Sequence, residues 1–265
     1  MDGISLILPG GGARGFSIAG SIKCLYERDI WFSSVSGSSI GAIIGAAICE
    51  GKTPDEIKEK ILSFKFIRTL RPSFRGSGVL SSCTLRAFID AMVDSETFEQ
   101  LKIPLGVVAT NMTSGQTEIF AKGDLKPALL ASCTLVGFFE SMVWNGTIYG
   151  DGGYSCPIPF GLFPERNIEL VIDSSVRPDW NLGIDRGFRL WGHLPFKTIS
   201  KYLLKSYDIT YYHYGRCQIA ARKCIVIEPR LGDMRAFDIS KREFAIEAGR
   251  RAAERKVAEV LARVI

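Results

Sequence analysis

Blocks of apolar and polar positions along this chain predict strands and helices in turn. Ile4–Leu8 is an unbroken apolar run suited to a buried strand, and it ends at Pro9 and a cluster of glycines. Over residues 16–28, Ile18, Ile22, Leu25 and Tyr26 recur at helical spacing. A second apolar run, Ile30-Trp31-Phe32 with Val35, yields at Gly37 to a helical pattern over residues 40–49. Strand, glycine loop, helix, strand, glycine turn, helix is a βαβα opening, which argues for an α/β fold with parallel strands. Thr53-Pro54-Asp55-Glu56 then supplies an N-cap, a proline at the first helical position and a capping-box glutamate for a helix reaching about residue 64. Ser81 or Ser82 opens another helix to about residue 93. Residues 103–110 read as a buried strand, 113–115 as a turn, 116–121 as a paired strand and 125–134 as a helix. Asn145-Gly146 between two short apolar runs is a hairpin signal. Residues 169–176 and 224–227 read as further strands. Ser240-Lys241-Arg242-Glu243 reads as a capping box opening an amphipathic helix through Leu261.

Composition narrows the class without choosing a function. The chain has 265 residues, 46% of them hydrophobic, which is enough for one sizeable core. With no linker, repeat or low-complexity run to divide it, one domain over residues 1–265 is expected. Net charge is +5, a mild excess that fits an anionic surface or substrate without demanding one. The seven cysteines (Cys24, Cys49, Cys83, Cys133, Cys156, Cys217, Cys224) are scattered and form no C-x-x-C pair. Reduced, buried thiols in a cytoplasmic, reducing compartment are therefore expected. Two histidines, His193 and His213, offer no metal-ligand cluster, so no metal is expected. No signal peptide is visible, and the uncharged apolar stretch over residues 39–49 is too short to span a bilayer.

Candidate chemistry centres on Gly37-Ser38-Ser39-Ile40-Gly41, a G-x-S-x-G motif in strand-turn-helix context. A serine on such a turn presents its Oγ above the sheet, and glycines let the neighbouring backbones approach. The helix that begins there directs free N–H groups and a positive dipole end at the same point. Alternatively, this is a glycine-rich helix start packed against a strand. Gly10-Gly11-Gly12-Ala13-Arg14-Gly15 is equally open. Gly10, Gly12 and Gly15 match the dinucleotide fingerprint, with Glu27 or Asp29 as an early ribose acid. The same unshielded N–H groups suit an oxyanion hole, with Arg14 holding the loop or meeting an anionic substrate group. A tight strand-to-helix turn is the third reading. Asp151, set between Gly150 and Gly152-Gly153 after the hairpin, is either a turn residue or a carboxylate delivered to the top of the sheet.

Residues 65–76 interleave basic and aromatic side chains, as a rim meeting lipid headgroups would, or as an ordinary basic loop with its aromatics in the core. Residues 186–223 carry eight Lys/Arg against one acid, with eight aromatics: Phe188, Trp191, Phe196, Tyr202, Tyr207, Tyr211, Tyr212 and Tyr214. A membrane contact or mobile cover, and two solvated helices completing the core, fit this region equally. Nucleic acid is not an expected partner, since the pI is modest and no binding motif is present. A serine nucleophile needs a base. The order Ser39, Asp151, then His193 or His213 suits an α/β-hydrolase triad, yet that fold sets several strands before its nucleophile and here there is room for two. A carboxylate base then becomes the alternative, with Asp151 best situated.

Taken in order, Gly10 to Gly15, Gly37 to Gly41 and Asp151-Gly152-Gly153 resemble the motifs of the patatin-like phospholipase family, as does Ala131-Ser132-Cys133. The resemblance covers roughly residues 4–229. It implies a three-layer α/β sandwich with a mostly parallel central sheet and helices on both faces. It further implies a Ser-Asp dyad without histidine: Ser39 as nucleophile, Asp151 as general base, and an oxyanion hole from Gly10, Gly11, Gly12 and Ala13. Arg14, Gly15, Gly37, Gly41, Gly152 and Gly153 would support these. The implied activity is a lipase or phospholipase A-type acyl hydrolase acting on lipid or phospholipid, with no cofactor and with peripheral contact to an anionic membrane. Residues 134–139 lack the proline often found there, and Phe138, Phe139 and Trp144 are bulky, which bears on acyl-chain preference. The remaining alternatives are a Ser-His-Asp esterase and a non-enzymatic dinucleotide- or membrane-binding protein.

Overall fold

Strand β1 (Ile4–Leu8) is buried on both faces, and its side chains divide by parity. Leu6 and Leu8 enter the main hydrophobic core, whereas Ile7 enters a second, smaller cluster with Ile158 and Val171. The same alternation holds in β9 (Ile168–Ile172) and β10 (Ile225–Ile227). A strand apolar on both faces requires cover on both, which is the signature of a parallel sheet between two layers. The computed structural model describes residues 3–73, 77–164, 168–177 and 196–264. Among these residues, β2 (Phe32–Ser38), β4 (Leu105–Asn111), β5 (Thr117–Phe120), β7 (Met142–Trp144) and β8 (Thr147–Gly150) complete an eight-stranded sheet. Its order is β10-β9-β1-β2-β4-β8-β7, with β5 on β4. The first five strands are mutually parallel; β5 and β8 run antiparallel to β4, and β7 is antiparallel to β8. The chain leaves β1 toward β2 and β4 and later returns to β9 on its other side. The crevice at the carboxyl ends of β1 and β9 is therefore a topological switch point.

Helices α1 (Ser17–Tyr26), α2 (Ile40–Glu50), α3 (Pro54–Ser63), α5 (Cys83–Met92), α6 (Leu125–Cys133) and α8 (Arg242–Glu254) form the main layer. Helix α2 is apolar all round and buried from Ile40 to Cys49, as expected of a helix enclosed by sheet and neighbours. Each buried isoleucine there contributes roughly 1.5–3 kcal/mol, so the helix that follows Ser39 is among the most firmly seated parts of the fold. Helix α7 (Phe196–Ala220) packs on the opposite face, where Ile219 joins the smaller cluster. The Thr53–Glu56 capping box forms as expected, and Asn145 and Gly146, both at positive φ, turn the hairpin.

Several expectations are corrected. Ser240 sits in a 3-10 turn, Ile239–Lys241, and α8 starts at Arg242 with no side-chain cap, so the expected capping box does not form. The C-terminal helix also breaks, continuing as α9 (Val257–Val264). Residues 65–76 begin with a short helix, α4 (Phe66–Thr69), leading to a strand, β3 (Gly78–Leu80), that pairs with β6 (Gly137–Phe139). These three-residue strands carry too little alternation to be read from sequence. Of the basic aromatic region, residues 196–220 form one helix; Phe188, Trp191 and His193 lie outside the described residues. The seven cysteines are unpaired, but Cys83 and Cys217 are exposed rather than buried.

Helices α1 and α8 meet backbone to backbone. A Cβ on Gly249 would fall 1.8 Å from the Ser17 carbonyl oxygen, and the Ser21 hydroxyl donates to the Gly249 carbonyl at 3.0 Å. Gly249→Ala should therefore cost about 1–3 kcal/mol through overpacking, read as a lowered urea midpoint at unchanged slope.

Candidate active site

Ser39 joins β2 to α2 with φ 54° and ψ −131°, a backbone conformation that L residues rarely hold. Close packing enforces it. A Cβ on Gly41 would lie 2.1 Å from the Leu8 carbonyl oxygen, and one on Gly37 would lie 2.5 Å from the Ala42 Cα. Only glycine fits at either position. The Ser39 N–H donates to the Ser132 hydroxyl at 2.9 Å, and that hydroxyl donates to the Val108 carbonyl at 2.6 Å. Buried Ser132, at the end of α6, thus ties the turn to β4.

Asp151 follows β8 and is 3% exposed. Its N–H donates to the Thr134 carbonyl at 2.8 Å, and the Thr110 hydroxyl donates to its carbonyl at 2.8 Å, fixing the backbone on both sides. Oδ1 accepts the Gly153 N–H at 2.8 Å and the Tyr207 hydroxyl at 3.0 Å. The Ser39 side chain lies near the same carboxyl group, and both line one cavity. Burial pushes Asp151 above the usual carboxylate range, while the bonds from Ser39, Gly153 and Tyr207 pull it back. Gly152 packs beneath it, where a Cβ would meet the Val108 carbonyl oxygen at 2.3 Å.

The glycine loop lies at the carboxyl end of β1 beside Ser39, with Gly11 at φ 153° and Gly12 at φ 58°. Ala13 donates its N–H to the Ala236 carbonyl at 2.7 Å, and Gly10 packs near the Tyr211 hydroxyl, which a Cβ there would approach to 3.3 Å. Of the four expected oxyanion donors, Ala13 is thus engaged within the protein, while Gly11 and Gly12 line the cavity described below. Gly15 packs on Ile40, where a Cβ would come within 2.4 Å. Arg14 holds the loop rather than meeting a ligand. Its Nε donates to the Gly11 carbonyl at 3.0 Å, and its Nη2 pairs with Asp208 Oδ1 at 2.7 Å, with both side chains almost fully buried.

A cavity of about 1010 Å³ opens from this point. Gly11, Gly12, Ser39, Cys133 and Asp151 line its polar end, and Phe16, Ile43, Phe88, Leu135 and Phe139 are among its apolar walls. Of the three bulky residues noted from sequence, Phe139 alone is among the lining residues; Phe138 stacks on Phe237, and Trp144 packs tilted against Phe120. Phe64, Phe66 and Phe88 pack ring against ring, and Phe16 meets the last two. This anchors α4 with Lys65, Ile67, Arg68 and Leu70 at the cavity's edge, Ile67 being 86% exposed. His213 is exposed on α7 against Tyr212 and is not among the cavity-lining residues. Sequence reading did not single out Tyr207, Tyr211 or Asp208 as site residues. The available signal was Asp208 itself, the lone acid of residues 186–223.

An α/β sandwich with a serine turn, a buried aspartate and a glycine loop at its sheet edge defines a class, and comparison with known proteins agrees. The family model for patatin-like phospholipase matches residues 6–163, more than half of the chain. The chain belongs to the patatin-like phospholipase family. An uncharacterized NTE family protein of Mycobacterium tuberculosis is 31% identical over 176 residues, covering 65% of this chain and 49% of that protein. Patatin-like phospholipase domain-containing protein 6 of Homo sapiens is 28% identical over 177 residues, 64% of this chain and 13% of its own length. The chain thus spans about half the length of the mycobacterial relative or less of others. VipD from Legionella pneumophila superposes with a TM-score of 0.63 at 14% identity, covering 98% of this chain and 67% of that one, a likeness of fold.

Asp208→Asn leaves the Arg14 charge buried without a counterion and should cost about 3–5 kcal/mol. The double replacement Arg14→Met with Asp208→Leu should recover much of that loss. Urea unfolding of the two variants beside the parent measures both effects.

Proposed function

We propose that this chain is a serine acyl hydrolase, lipase- or phospholipase A-like, that cleaves fatty-acyl esters of lipids with Ser39 as nucleophile and Asp151 as general base. Membership of the patatin-like phospholipase family supports the lipid hydrolase class. The observation that carries the finer reading is the juxtaposition of a strained Ser39 and the buried Asp151 carboxyl at the polar end of a large apolar cavity. Ser39 Oγ attacks the ester carbonyl as its proton passes to Asp151. The carbonyl oxygen takes the displaced electron pair and is held by the N–H groups of Gly11 and Gly12. Collapse expels the alcohol or lysolipid, which takes the proton from Asp151, and leaves an acyl-Ser39 ester. Water, deprotonated by Asp151, then attacks the acyl carbon, the bond to Ser39 Oγ breaks, Asp151 returns the proton to Oγ, and the fatty acid is released. No cofactor or metal enters these steps.

Two rival chemistries fit less well. A dinucleotide pyrophosphate would need the loop's N–H groups, yet that of Ala13 is bonded to the Ala236 carbonyl. A triad would need a histidine near Asp151, whose described partners are Ser39, Gly153 and Tyr207. A fluorophosphonate probe should give a single adduct on Ser39 by intact mass. Hydrolysis of a short p-nitrophenyl ester should be lost in Ser39→Ala and Asp151→Asn and kept when His193 and His213 are both replaced. Turnover that vanishes with the histidines would overturn the dyad.

Peripheral contact with an anionic membrane belongs to the same proposal. Ile67 and Leu70 are exposed beside Lys65, Arg68 and Arg71 at the mouth of the cavity, a pairing of apolar and basic groups suited to an acidic lipid surface. No helix among the described residues is long and apolar enough to cross a membrane. Arg68→Glu with Arg71→Glu should weaken co-sedimentation with anionic vesicles by about ten-fold or more, at roughly 1 kcal/mol per removed cation. Unchanged binding would exclude this face.

A further inference from the structure

Helix α7 brings three inward-facing side chains to the site: Tyr207 to Asp151, Asp208 to Arg14, and Tyr211 to the Pro157 carbonyl. We propose that Tyr207 is a positioning residue of the reaction, whose hydroxyl holds Oδ1 of Asp151 so that Oδ2 is the oxygen that exchanges the proton with Ser39 and the leaving group. This deepens the dyad reading and rests on it.

The argument is one of lone pairs. Oδ1 accepts two hydrogen bonds, from the Gly153 N–H at 2.8 Å and from the Tyr207 hydroxyl at 3.0 Å. A carboxylate oxygen offers about two lone-pair sites, so those of Oδ1 are filled and Oδ2 is left to accept a proton. As Ser39 attacks, its O–H bond breaks and the proton goes to Oδ2. The electron pair of that bond forms the bond to the acyl carbon, and the carbonyl pair moves to the oxygen. On collapse the carbon–oxygen bond to the leaving group breaks, and Oδ2 returns the proton to the departing oxygen. Tyr207 keeps its own proton throughout.

The surroundings fit this role. Tyr154 and Tyr211 flank the Tyr207 ring, with centroids 5.1 Å and 5.6 Å away. The last glycine of Asp151-Gly152-Gly153 also gains a reason, because a Cβ on Gly153 would lie 2.3 Å from the Tyr207 hydroxyl oxygen. The groups facing Asp151 are the Ser39 hydroxyl from the β2–α2 turn, the Cys133 thiol from α6, Tyr154 from the turn after Asp151, and Tyr207 and Tyr211 from α7. The buried Asp173 and the Arg14–Asp208 pair lie one layer further out, around Tyr211 and the glycine loop. Burial pushes Tyr154 up to about 12 and raises Cys133, Tyr207 and Tyr211 well above their usual values, so these neighbours stay neutral through the acid and neutral range. The Tyr207 bond favours the ionised form of Asp151. Losing it raises the Asp151 pKa, and the acid limb of the rate profile moves to higher pH.

The test is the pH profile of kcat/KM for Tyr207→Phe on a short p-nitrophenyl ester, beside the parent and Tyr214→Phe, an exposed tyrosine on the same helix. Tyr207→Phe should lower kcat by about ten-fold with KM little changed, and shift the acid limb upward by about half to one pH unit. Gly153→Ala, which displaces the same hydroxyl, should shift the limb in the same direction, while Tyr214→Phe should match the parent. An acid limb unmoved in both Tyr207→Phe and Gly153→Ala, with Ser39 still labelled by the fluorophosphonate, would overturn the role of Tyr207 and leave the dyad standing. A parent that neither labels nor hydrolyses with vesicles present would remove the dyad and this proposal together.

Discussion

A serine backbone held at φ 54° costs on the order of 1–3 kcal/mol, and much of this structure can be understood as what keeps it there. The strain is not relieved locally. Two glycines remove the side chains that would block the turn, so that Gly41 approaches the β1 carbonyls and Gly37 the start of α2. The buried α2 then anchors one end of the turn in the main core, while Ser132 ties the Ser39 N–H to β4 through a single bridging hydroxyl. Loss of any one of these supports lets the backbone relax toward an ordinary helix N-cap, and the Oγ would no longer stand above the sheet edge. Stability of the core and exposure of the serine are thus the same property measured at two places.

The second constraint is that the polar groups of the site sit in surroundings that penalise unpaired charge. Arg14 and Asp208 are both nearly inaccessible, and each is tolerable because of the other. Their pairing joins α7, which crosses one face of the sheet, to the glycine loop at its edge. Ala236 closes the loop from the opposite side, with its carbonyl on the Ala13 N–H and its backbone where a side chain on Gly12 would have to go. Ala236 is carried on the segment leading into α8, which is itself locked to α1 through Gly249. The oxyanion donors proposed at Gly11 and Gly12 are therefore positioned by two elements more than 190 residues away in sequence.

That separation explains which features were legible beforehand. The βαβα opening, the Thr53 capping box, the Asn145-Gly146 hairpin and the serine turn all follow from short-range rules, and each appears in the structure where the sequence puts it. Asp151 was visible for the same reason, a carboxylate between glycines at a strand end. Tyr207, Asp208 and Ala236 were not, because periodicity says that a helix has an inner face but not what that face meets. Eight aromatics in one basic stretch gave no ground for choosing Tyr207 over Tyr202, which turns outward. The failed capping box at Ser240 has a local cause. Asp238 accepts the Arg235 N–H on its side chain and the Lys241 N–H on its carbonyl, drawing the chain into a 3-10 turn before α8 begins. That the Ala13 N–H is already bonded to Ala236 lay equally outside short-range rules.

An aspartate that serves as base without a histidine faces opposing demands. It must be ionised at rest to accept the serine proton, yet burial in this site drives it toward the neutral acid. Donors aimed at the carboxylate restore the ionised form, but each one also weakens it as a base. The structure balances these with an N–H and a phenol on a single oxygen, leaving the second for the proton. In the proposed reaction, once Asp151 is protonated, the same two donors favour loss of that proton, so it passes to the leaving oxygen rather than being retained. A histidine achieves this balance with a pKa already near neutrality. A carboxylate achieves it only through its neighbours, which is why the residues that set those neighbours, Gly153 beneath and Tyr207 above, matter as much to the proposed reaction as the aspartate they hold.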